Sequence, residues 1–99
     1  MTTNSAPSTE ELAAVNAAQA AETIPVLRGQ IDGLDEAIIR LVAERVKLSK
    51  RIQTARVNAG GTRVELGRER VIRDAFRDGL GPDGPDLAGA ILQVCRGRR

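Results

Sequence analysis

The sequence has no histidine, no tryptophan and no tyrosine, and it has a single cysteine, Cys95, and a single phenylalanine, Phe76. Each shortage excludes a class of chemistry. A lone cysteine closes no disulfide within the chain, and without histidine the usual zinc and iron ligand sets cannot be assembled, so no metal is expected. One aromatic ring gives no platform on which successive bases could stack, which argues against nucleic-acid binding. No run of about 18 apolar residues occurs, so no membrane span is expected. The polar start, MTTNSAPSTEEL, lacks the basic-then-apolar order of a secretory signal. A lone cysteine also suits a reducing compartment, and the cytoplasm is the expected location.

What remains is a chain of 99 residues, the size of one small domain. Such a domain has little core to spare, and with metals and disulfides excluded, oligomerisation is the expected source of further burial. The pI of about 9.3 is basic, yet the net charge is only +2 and both signs are interleaved. That balance favours a local cationic site over a generally basic surface.

The pattern predicts an all-α chain of three helices. Residues 1–22 read as a flexible or weakly helical extension, polar over 1–10 and alanine-rich over 10–22, with Pro25 at the boundary of the next helix. Residues 23–99 form the functional domain. From Val26 to Asn58, the row Leu27, Ile31, Leu34, Ile38, Leu41, Arg45, Leu48, Ile52 and Ala55 alternates steps of four and three, the coiled-coil rhythm. Gly60 and Gly61 end it. A helix over 26–58 would be roughly 50 Å long, whereas a compact domain of this size has a radius of gyration of about 13 Å. The helix would overhang its own domain, and an intertwined antiparallel homodimer would cover its apolar stripe. A second helix is predicted over Arg68–Arg77, stopping at Asp78-Gly79. The GPDGPD turn over 81–86 leads to a third helix over Leu87–Arg96, with Asp86 or Asp83 as its cap.

The candidate chemistry is cationic. Arg45 interrupts an otherwise apolar seam, and a buried guanidinium demands an anion beside it. That anion would be Glu44 or Asp35 in a structural ion pair, or a ligand; alternatively the side chain snorkels to water. Arg56 follows eleven residues later, three turns plus roughly 20°, and about 16 Å along the axis, so the two arginines face the same way across a gap suited to a small molecule. Arg56 also reads as a favourable cation near a helix C-terminus. Arg28 lies about 25 Å before Arg45 and is turned by about 100°, so only a partner chain's copy could serve the same pocket; alone it reads as a surface residue. Arg68 and Glu69 open the second helix, where free N–H groups favour anions, and Glu69 is equally an ordinary first-turn acid. Thr62 and Arg63 lie just upstream.

Taken in order, these residues resemble a family. LRGQIDGLDEAIIRLVAERVKLSKRIQTAR is similar to the long first helix of the all-α chorismate mutases, and GGTRVELGRERVI over 60–72 resembles the loop and second helix of their short, stand-alone intracellular members. The resemblance covers residues 24–99. It implies a cofactor-free isomerase that rearranges chorismate to prephenate, a one-step pericyclic reaction on the way to phenylalanine and tyrosine. Such chemistry needs no nucleophile. It needs the dicarboxylate held in a compact shape and the developing charge on the ether oxygen stabilised. By resemblance, Arg45 and the partner's Arg28 would grip carboxylates, Arg56 would face the ether oxygen, and Glu69 would receive the ring hydroxyl. Arg68 would support a carboxylate, and Thr62, Val64, Glu65 and Ile72 would line the pocket. Asp32 and Asp35 match acidic positions of the family and read as packing or ion-pair residues.

The resemblance has a gap. Many relatives carry a longer third helix supplying a glutamine near the ether oxygen; Gln93 lies too early to match it, and CRGRR follows instead. The short subclass shares this depletion and is activated by docking on DAHP synthase, which implies weak activity alone and the same partner here. Three other readings compete. A non-catalytic helical dimer acting as adaptor or regulatory subunit would use the seam arginine to fix register. A nucleic-acid binder would act through the basic tail. A lyase acting on isochorismate shares the helical fold.

Overall fold

A computed structural model describes residues 6–61 and 65–97 of the chain. Three helices account for the described structure: α1 over Thr9–Asn58, α2 over Leu66–Leu80 and α3 over Gly84–Arg96. The backbone divides into two compact units, residues 1–37 and 38–99.

The first unit consists, among its described residues, of the start of α1. A capping box begins the helix: the Ser8 Oγ accepts from the Glu11 N–H at 3.1 Å, and the Ser8 N–H donates to Glu11 Oε2 at 3.3 Å. Helix therefore starts at Thr9, within a stretch expected to be at most weakly helical, and it passes through Pro25 instead of breaking there. Proline has no N–H to give the carbonyl four residues earlier. Two residues before it, Thr23 Oγ1 donates to the Ala20 carbonyl at 2.6 Å.

The second unit holds the rest of α1 together with α2 and α3. The end of α1 is a Schellman motif: the Gly60 N–H donates to the Val57 carbonyl at 3.0 Å and the Gly61 N–H to the Arg56 carbonyl at 2.8 Å. Gly60, at φ +77°, takes the left-handed position that glycine fills without a Cβ penalty. Helix α2 begins two residues before the predicted start and continues through Asp78-Gly79, ending where the Gly81 N–H donates to the Arg77 carbonyl. Helix α3 begins at Gly84, ahead of the predicted Leu87, with Pro85 in its first turn; this makes Asp83 the N-cap position and puts Asp86 inside the helix.

Helices α2 and α3 form an antiparallel pair joined by a three-residue connection, residues 81–83. They come close at Gly84, where an added Cβ would lie 2.2 Å from the Phe76 carbonyl oxygen. The core lies along this pair. Ala88, Leu92 and Cys95, spaced by four and three, form the buried face of α3, and Glu69 is the buried residue of α2. No described residue of α1 is buried. The seam residues Leu27, Ile31 and Leu34 of the first unit are each more than half exposed, as are Ile38, Leu41, Leu48 and Ile52 of the second. No helix among the described residues is long and apolar enough to cross a membrane.

Candidate active site

The C-terminal part of α1, the start of α2 and the end of α3 enclose a pocket of about 330 Å³. From α1 come Arg45, Leu48, Ser49, Ile52, Gln53 and Arg56, a row repeating at helical spacing along one face. The second helix and its N-cap add Glu65, Arg68, Glu69 and Ile72; the third adds Leu92, Cys95 and Arg96. Four arginines against two glutamates leave the lining with an excess of positive charge.

Five of these six charges, Arg45, Arg56, Glu65, Glu69 and Arg96, contact another element. Arg45, expected to meet a carboxylate, points Nη1 at the Cys95 thiol of α3, with 2.9 Å to Sγ. A thiol is a weak acceptor, so the cation keeps most of its capacity for an anionic ligand. Arg56 leaves α1 in the turn fixed by the Schellman motif and places Nη2 3.5 Å from Glu65 Oε1, at the N-cap of α2. A Cβ on Gly61 would come within 2.7 Å of Arg56 Cγ, so the glycine leaves room for this side chain to pack back over the helix end. Glu69 is only 8% exposed. Burying a carboxylate demands cations beside it: Arg73 Nη1 lies 3.6 Å from one oxygen, and Arg96 Nη2 contacts the other.

Of the residues singled out in the sequence, Arg45, Arg56, Glu65, Arg68, Glu69 and Ile72 share this pocket. Arg28 belongs to the first unit and does not line it. Thr62 and Val64, with Arg63, lie outside the described residues. The pocket is also lined by Leu48 and Ile52, which the sequence marks only as seam, and by Ser49, Gln53, Leu92, Cys95 and Arg96, which it does not mark as site residues. The α1 set was open to discovery, because 45, 49, 52 and 56 step by four, three and four. The α3 set carried no local signal.

Residues 27–95 match the family model described as chorismate mutase type II. The intracellular chorismate mutase of Mycobacterium tuberculosis is 44% identical over 92 residues, covering 89% of this chain and 87% of its own length. That of Mycolicibacterium smegmatis is 44% identical over 72 residues, covering 73% and 69%. The fold matches a chain in the structure of a non-covalent complex of DAHP synthase and chorismate mutase from Corynebacterium glutamicum with bound transition state analog. The TM-score is 0.76 at 37% identity, covering 82% of this chain and 98% of that one. The chain belongs to the type II chorismate mutase family. It is accordingly an isomerase, a chorismate mutase.

Proposed function

We propose that the chain rearranges chorismate to prephenate in this pocket, over the domain 23–99, as a homodimer whose sites are shared between subunits. The observation that carries the reading is a pocket of about 330 Å³ whose lining combines arginines from all three helices with a buried glutamate. The substrate is a flexible dianion. Its ether C–O bond breaks as a C–C bond forms within the same molecule, so the protein's task is to fix the reactive shape and stabilise charge on the departing oxygen.

In this reading Arg45 and the partner's Arg28 hold carboxylates. Arg56 donates to the ether oxygen, where one such contact is worth about 3–4 kcal/mol in the transition state. Arg68 supports a carboxylate and Glu69 accepts the ring hydroxyl, with Glu65, Ile72, Thr62 and Val64 as the remaining wall. Arg56 and Glu65 face each other at 3.5 Å, so substrate binding draws Arg56 from Glu65 to the ether oxygen and a substrate carboxylate.

The dimer is supported by the apolar seam left exposed in both units, an area that a helix in water must cover. Docking on DAHP synthase is supported by the similarity to the chorismate mutase of the Corynebacterium glutamicum complex. In that arrangement the chain works weakly alone, and the synthase raises its rate by ordering the pocket. The test is chorismate consumption and prephenate formation by the purified chain, with and without DAHP synthase. The reading expects slow turnover that the synthase accelerates. No prephenate under either condition ends the catalytic reading, and full activity that the synthase leaves unchanged ends the activation.

A further inference from the structure

Two consecutive residues in the last turn of α3 engage pocket charges that belong to the other two helices. Cys95 accepts from Arg45 of α1, and Arg96 contacts Glu69 of α2. We propose that Arg96 is a positioning residue for Glu69: it fixes the orientation of the carboxylate that receives the substrate hydroxyl. This rests on the role proposed above for Glu69.

Glu69 is the one charged residue that burial claims among the described residues, and a carboxylate withdrawn from water demands cations beside it. Two are present. Arg73 lies a turn further along α2, is 40% exposed and stands 3.6 Å from Oε1, an ion pair longer than a hydrogen bond. Arg96 comes from a different helix, is less exposed and engages Oε2 directly. A carboxylate offers about four acceptor positions, so these contacts leave capacity for an incoming hydroxyl. Arg96 therefore orients the group without blocking it.

The fold directs Arg96 to this place. Ala88, Leu92 and Cys95 bury one face of α3 and fix the rotation of the helix. The close approach at Gly84 fixes its distance from α2 at the opposite end. Residue 96 then falls beside the first turn of α2, where Glu69 stands.

A double-mutant cycle on the full chain tests the assignment, with kcat/KM for chorismate as the readout and thermal unfolding of each variant as the folding control. Glu69→Gln is expected to lower kcat/KM, and Arg96→Gln to lower it by roughly tenfold or more. If Arg96 acts through Glu69, the double variant lies within about twofold of Glu69→Gln alone. Arg96→Lys retains a cation and recovers part of the loss; it carries the same cycle should Arg96→Gln not fold. Losses that add in the double variant, or an Arg96→Gln enzyme with unaltered kcat/KM, overturn the positioning role. A Glu69→Gln enzyme as active as the parent overturns the role of Glu69 itself, which is a separate failure.

Discussion

Arg56 is held from two directions, by the Schellman turn that ends α1 and by Glu65 at the start of α2. Its guanidinium thus stands at a junction of two elements, where a shift of either would displace it. Replacing it with alanine removes the donor proposed to face the ether oxygen. Arg56→Ala is expected to lower kcat by roughly a hundredfold to a thousandfold, with helix content by circular dichroism unchanged. At the same scale, Arg45 shows what sequence can and cannot give. Its place in an apolar row marks it as unusual, but its contact with Cys95 depends on where the last turn of α3 comes to stand, which no spacing in the sequence encodes.

At the scale of the helices, packing between α2 and α3 depends on one missing side chain. A Cβ at Gly84 would lie 2.2 Å from the Phe76 carbonyl oxygen and 2.8 Å from the Arg77 nitrogen, both backbone atoms that cannot swing aside. Gly84→Ala is expected to cost about 1–3 kcal/mol or more, read as a fall in the thermal midpoint. Gly79, inside α2, has nothing within 4 Å of such a Cβ. Gly79→Ala is therefore expected to stabilise the chain by about 0.5–1 kcal/mol, and the opposite signs of the two variants are the check. The helix N-terminus makes a third case. Ser8→Ala removes the cap on α1 and should cost about 1 kcal/mol locally, seen as faster hydrogen exchange over residues 9–12 with chorismate turnover unaffected.

The helices also show how much could be read beforehand. The stripe from Leu27 to Ala55 was legible because a three-four repeat survives wherever one face of a helix is reserved for apolar contact. The boundaries were less so. Ser8 and Glu11 spell a capping box in the sequence, but it precedes a weak alanine face, and Pro25 stood as a break that the helix absorbs. Asp78-Gly79 looked like a stop, whereas the residue that leaves the helix with positive φ is Gly81. On α1 the pocket follows from helical spacing. On α3 it follows from tertiary packing: Leu92, Cys95 and Arg96 acquire their role only once α3 folds back on α2.

For the whole molecule, the account turns on what covers the exposed seam. A chain whose described core is limited to a few residues of α2 and α3 leaves most of its apolar side chains to water unless a second copy meets them. Leu41 belongs to that seam and does not line the pocket. Leu41→Glu is expected to shift the chain from dimer to monomer by analytical ultracentrifugation and to abolish turnover with it. The proposed dimer would bring Arg28 of one chain and Arg56 of the other to one site. The direct measurement is turnover by a mixture of Arg28→Ala and Arg56→Ala chains, each inactive alone, after exchange of subunits. The account predicts that the mixture regains activity, because each mixed dimer contains one site with both arginines intact. A mixture as inactive as its parents, or an Arg28→Ala chain that is fully active by itself, would contradict it.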